Sequence, residues 1–173
     1  MTPLSFALLG LIGMEPRSGY ALRKVFETTP LGNYSSSPGS IYPALKALER
    51  AGLVRRAAAR DARGTAACHL TADGAEALDS WLSGPIGDLG EAMLRFAFLP
   101  DDAQAILPFL DRFEAEARTQ AAALDAFLSG ETAQGMSARH VMAVEHGRRG
   151  LEASASWAMW AREQFEAGRG EVR

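Results

Sequence analysis

Residues 37–70 read as a helix that stops at a glycine and runs straight into a two-stranded hairpin, and few folds accommodate that order. Ser37-Pro38 is a helix opening: a capping hydroxyl, then a proline where no N–H is missed. The helix is expected to continue to about Ala51, with Gly52 as its C-terminal stop. Pro43 would remove a hydrogen bond inside that helix. Ser40 is therefore an alternative start, one that puts Pro43 in the first turn. Ile41, Ala44, Leu45 and Leu48 mark the buried face, while Tyr42, Pro43, Lys46, Ala47 and Arg50 lie mainly on the other side. Residues 53–56 read as a short strand and residues 66–70 as its return, with Arg60, Asp61 and Arg63 at the hairpin tip.

Leu4, Ala7, Leu8, Leu11 and Ile12 recur at helical spacing, which predicts a buried helix over residues 4–13 rather than a signal peptide or a membrane span. Ser18 caps a second helix over 19–28, with Ala21, Leu22, Val25 and Phe26 inward. Residues 30–36 are a loop by composition; Asn33-Tyr34-Ser35 matches a glycosylation acceptor but reads as loop chemistry. Thr71 caps a fourth helix to about Ser83, with Ala75, Leu78 and Leu82 inward. Helix, helix, loop, helix, two-stranded wing, helix is the winged helix-turn-helix order. Such a fold reads DNA with a helix stiff enough to enter the major groove, led by short, polar or flat side chains. Ser37, Gly39, Ser40 and Tyr42 meet that requirement. Lys46 and Arg50 can reach phosphates, and Arg60 and Arg63 can reach the backbone or the adjacent minor groove.

The remainder is helical, so the expected fold class is mainly α: a winged helix-turn-helix domain over 1–84, a linker over 85–90, and an α-helical dimerisation domain over 91–173. Leu94, Phe96, Phe98 and Leu99 fall in a short helix or turn ending at Pro100. Asp101 and Asp102 open a long helix to about Leu128, with a kink or restart expected at Pro108. Ile106, Leu110, Phe113, Ala117, Gln120, Leu124 and Phe127 form a coiled-coil-like seam. A last helix over 137–167 carries a stripe of mostly small residues: Gly147, Leu151, Ser154, Ala158 and Ala161. Two long helices ending so short a chain cannot bury their faces well on each other alone, and a homodimer would solve that.

A net charge of -3 looks wrong for a nucleic-acid binder until it is divided along the chain. Residues 17–63 hold 9 Lys+Arg against 3 Asp+Glu, a net +6, whereas residues 85–173 hold 9 against 14, a net -5. One part therefore suits a polyanion and the other does not. With 47% apolar and 23% charged residues the chain is no disordered segment. A single cysteine, Cys68, excludes an internal disulfide and fits a reducing cytoplasm.

Ser18-Gly19-Tyr20-Ala21-Leu22, followed by Ser37-Pro38-Gly39-Ser40-Ile41-Tyr42-Pro43-Ala44-Leu45-Lys46-Ala47-Leu48-Glu49-Arg50-Ala51-Gly52-Leu53, resembles the PadR family of bacterial transcriptional regulators. Leu70-Thr71-Ala72-Asp73-Gly74 resembles that family's exit from the wing into its fourth helix. Leu94-Arg95-Phe96-Ala97-Phe98, Gly150 and Trp157 resemble the C-terminal dimerisation domain of its longer-tailed subgroup. The resemblance implies a homodimer on a palindromic double-stranded operator, and repression often relieved by a small aromatic effector. It implies DNA-facing roles for Tyr20, Ser40, Tyr42, Lys46 and the wing arginines. Ala66-Ala67-Cys68-His69 depart from the aromatic and basic residues usual on the wing strand.

Other chemistries find little support. His140 and His146 stand six apart, not on one helix face, and no third ligand matches them, so no metal or cofactor is expected. No nucleophile–base set or phosphate loop marks an enzyme. Gly147-Arg148-Arg149-Gly150 matches the GXXG of an RNA-binding module but lies inside a helical pattern. Trp157 and Trp160, with Phe96, Phe98 and His140, are candidate walls of an effector pocket; the two tryptophans read more readily as dimer core. A winged-helix protein-interaction module without DNA binding is the alternative, motivated by the acidic pI of 5.6 and the altered wing strand.

Overall fold

The computed structural model describes residues 1–29, 31, 38–60 and 66–168, which fall into two compact units, Met1–Gly84 and Pro85–Arg173. In the first unit, α1 (Pro3–Met14) starts with Pro3 at its first position, and the Thr2 hydroxyl accepts the Ser5 N–H at 3.3 Å. It buries Ala7, Leu8, Leu9, Leu11 and Ile12. β1 (Arg17–Ser18) leads directly into α2 (Gly19–Thr28), where the Ser18 hydroxyl accepts the Ala21 N–H at 3.2 Å. A 3₁₀ turn (Pro38–Ser40) precedes α3 (Ile41–Arg50). The helix thus takes the later of the two starts, and Pro43 sits in the first turn, where its missing N–H breaks no helical bond. α3 buries Ile41, Leu45 and Leu48.

β2 (Val54–Arg60) and β3 (Ala66–Leu70) form the hairpin, with Val54 opposite Leu70, Arg56 opposite Cys68, and a register shift before Arg60 meets Ala66. β1 adds to the other edge of β3, Arg17 opposite Cys68, giving the antiparallel order β1-β3-β2. Two residues carry no alternation to read, so this third strand was invisible in the sequence pattern. α4 (Ala72–Ser83) completes a winged helix. Its inner face carries Leu78 and Trp81 rather than Leu82, which is only half-buried, because the Trp81 ring stacks on Phe6 at 4.5 Å and 3°.

In the second unit, residues 85–88 lead into α5 (Leu89–Phe96), whose first turn is capped by Asp88 accepting the Glu91 N–H at 2.7 Å. Arg95 donates to the Pro85 carbonyl at 2.8 Å and Gln120 to that of Gly87 at 3.1 Å. α6 (Ala103–Ser129) crosses Pro108 without the expected restart. Only the Gln104 carbonyl loses its N–H partner there, and Gln104 is exposed to water. After a short α7 (Glu131–Gln134), α8 (Ala138–Glu166) returns along α6, Gly147 lying near Leu124 and Trp157 against Phe113. The core gathers Ala92, Ile106, Phe109, Leu110, Phe113, Ala158 and Ala161. Among the described residues no helix is long and apolar enough to cross a membrane.

Candidate nucleic-acid interface

The exposed face of α3 follows from its own sequence. Tyr42, Lys46 and Arg50 recur every four residues, opposite the buried Ile41, Leu45 and Leu48, and all three are exposed. The helix ends with Gly52 in the left-handed region (φ 74°). The Gly52 N–H donates to the Glu49 carbonyl and the Leu53 N–H to the Leu48 carbonyl, both at 3.0 Å. These two bonds satisfy carbonyls that a helix end otherwise leaves open, and they turn the chain sharply into the wing.

At the other end, α2 meets α3 through a glycine. A Cβ on Gly19 would lie 3.0 Å from Cε1 of Tyr42 and 3.4 Å from Cδ1 of Leu45, so the bare backbone lets the Tyr42 ring lie against the start of α2. Tyr20 and Tyr42 still expose 48% and 46% of their surface, which leaves flat polar-tipped rings available to a partner. The Arg23 guanidinium stands 5.9 Å from the centre of the Tyr20 ring. Sequence reasoning passed over Arg23; its spacing of three from Tyr20 on one helix was the available signal.

Charge is distributed unevenly over this surface. Glu27 pairs with Arg23 at 3.1 Å and Glu15 with Arg17 at 2.6 Å, while Glu49 pairs with Arg56. That last contact, chiefly through its hydrogen bond, raises the Arg56 guanidinium above its ordinary value. Lys24, Lys46, Arg50 and Arg55 are exposed and make no ion pair with another described residue. The described acids Glu15, Glu27 and Glu49 are thus held by neighbours, and a set of cations is left for a polyanion.

The other predicted DNA-facing residues divide. Gly39 and Ser40 lie in the 3₁₀ turn, with Ser40 half-buried at the N-cap of α3 and making no capping side-chain hydrogen bond. Ser37 and Arg63 lie outside the described residues, and Arg60 ends the β2 backbone opposite Ala66. Cys68 is a free thiol buried in β3, and burial pushes its pKa up, which disfavours the reactive thiolate.

The sequence profile described as the transcriptional regulator PadR-like family matches residues 8–80. Over that stretch the chain is similar to the PadR-like family. The family is one of transcriptional regulators rather than enzymes, and the matched stretch contains α2, α3 and the whole wing. No curated protein matches the chain significantly. Several solved structures of PadR-like regulators are similar over most of the chain. The PadR-like transcriptional regulator BC1756 from Bacillus cereus is 19% identical, covering 95% of this chain and 99% of that one, with a TM-score of 0.42. Bacillus subtilis PadR in complex with operator DNA is 20% identical over 93% and 98%, TM-score 0.41. The same protein in complex with p-coumaric acid is 19% identical over 95% and 99%, TM-score 0.43.

The PadR-like match stops short of the helical unit, where the five candidate effector residues lie. Phe96 and Trp157 come together edge to face at 5.3 Å, and Phe113 packs on the same indole at 5.5 Å. Phe98 is half-buried in the turn after α5, and Trp160 is exposed. His140 sits in the first turn of α8, sharing a hydrogen bond of 3.0 Å with Ser137. It stands about 25 Å along the helix from Trp157 at ~1.5 Å per residue, so one protomer does not bring it to the aromatic cluster.

Proposed function

We propose that this PadR-like regulator binds palindromic operator DNA as a cytoplasmic homodimer and acts as a repressor. In this reading residues 1–84 are the DNA-binding domain, 85–90 the linker, and 91–173 the dimerisation and effector domain. One observation carries it: a well-terminated α3 presents Tyr42, Lys46 and Arg50 in a row on its open face, beside a wing of basic character. Ser37, Gly39, Ser40 and Tyr42 would meet base edges, Lys46 and Arg50 phosphates, and Tyr20, Arg60 and Arg63 the flanking backbone.

Dimerisation is supported by the helical unit. No described residue of α8 before Ala155 is buried, and Phe127, Met142, Met159 and Trp160 are large exposed apolar groups on α6 and α8. A partner covering them would set two α3 helices on half-sites about 34–36 Å apart. Release by a small aromatic effector would act through Phe96, Phe98 and Trp157, with His140 and Trp160 contributing only across a protomer interface.

The test is titration of the full chain with duplexes from its own upstream region and with random duplex, at several salt concentrations. Selective, salt-dependent binding by two protomers is expected. Lys46→Ala should weaken binding on every sequence and reduce the salt slope by about 0.9 for each protomer bound. Tyr42→Ala and Ser40→Ala should instead relax sequence choice, by about 1–3 kcal/mol for each base edge no longer read. Equal losses on specific and random DNA for all three would refute the role assignment, and no binding at all would favour a protein-interaction module.

A further inference from the structure

Glu49 is an acid in an awkward place. It lies seven residues, two helical turns, beyond Tyr42, which puts it on the same side of α3, the face proposed to meet DNA. A carboxylate there would face the phosphates and repel them. Its side chain is turned to the wing instead, where Arg56 Nε on β2 donates to Glu49 Oε1. Its carbonyl takes the Gly52 N–H in the turn between the two elements. The two charges cancel at the junction of α3 and β2. Arg56, although half-exposed among basic neighbours, is thereby occupied.

We propose that Glu49 and Arg56 are a positioning pair: Arg56 masks the one acid on the recognition face, and Glu49 keeps Arg56 off the phosphates. The affinity for DNA backbone is thereby held down relative to the affinity for base edges, and discrimination improves. This inference rests on the DNA-binding reading and adds to it a residue pair that contacts no DNA yet sets specificity.

The pair predicts opposite effects from its two members, which a merely structural role does not. In titrations of the full chain with random duplex, Glu49→Gln should raise affinity severalfold and steepen the salt slope by about 0.9 for each protomer bound, because each frees one more cation for the phosphates. Arg56→Gln should lower affinity on every duplex, through the unmasked carboxylate. The double variant should return near the wild-type value, and thermal melts should show all three folded. If both single variants shift affinity the same way while the wild-type chain binds normally, the inference fails and the DNA-binding reading stands. If the wild-type chain shows no salt-dependent binding, both fail.

Discussion

Thr71 and Gly74 work together where the wing gives way to α4. The Thr71 hydroxyl donates to the Gly52 carbonyl at 2.7 Å and accepts the Gly74 N–H at 3.0 Å, and the Thr71 N–H donates to the Leu53 carbonyl at 3.2 Å. A Cβ on Gly74 would lie 2.0 Å from that same Leu53 oxygen, so only glycine lets α4 start this close to the backbone. Leu-Thr-x-x-Gly is thus a steric and hydrogen-bonding requirement. Gly74→Ala must push α4 away, at a cost of about 1–3 kcal/mol or more. Its thermal midpoint should fall by several degrees, at about 2–4 °C per kcal/mol for a chain of this size. Gly87→Ala, which meets nothing within 4 Å, should melt almost like the parent. A Gly74→Ala midpoint equal to the parent's would disprove the steric argument.

At the scale of elements, helices with local signals were readable from the residues: the caps Ser18, Thr71 and Asp102 and the stop at Gly52 stand where sequence placed them. What escaped depends on groups far apart in the chain. β1 exists because β3 offers it an edge, and Trp81 turns inward because Phe6 is there to stack upon. Likewise the open face of α3 was legible from its period, whereas the Glu49–Arg56 pair needed the turn that joins helix to strand. α8 carries its own local support: Glu145 accepts from Arg148 at 2.8 Å and Arg149 at 2.7 Å, three and four residues on. These bonds lower the Glu145 carboxyl from 4.5 to about 2. A lowered folded-state pKa gives stability that is present above the unfolded value and is lost as pH falls through the folded one. Glu145→Gln should therefore melt below the parent at pH 7, and the gap should close between 4.5 and about 2. A gap independent of pH would show that the carboxylate contributes nothing. Because the network is partly exposed, salt should narrow the gap as well.

At the scale of the whole molecule, charge is segregated. Residues 1–84 hold 9 Lys+Arg against 7 Asp+Glu, while residues 85–173 carry the net -5. The acidic unit exposes Phe127, Met142, Met159 and Trp160 on its long helices, so it suits a protein partner better than a polyanion. Trp160→Glu should shift the chain toward monomer in sedimentation equilibrium while its helical circular dichroism persists. Operator affinity should then fall by about 10²–10⁴, the advantage of two linked sites over one. A variant that stays dimeric would move the interface elsewhere. The turn at Gly52 and Leu53 bears on how such a regulator is switched. The carbonyls of Leu48 and Glu49 at the end of α3 accept the Leu53 and Gly52 N–H groups, and the carbonyls of Gly52 and Leu53, just before β2, accept from Thr71 at the start of α4. α3, the wing and α4 thus share one joint. In the proposed dimer, a signal that leaves this joint intact would act by moving α3 and the wing together, as a change of distance between the two copies.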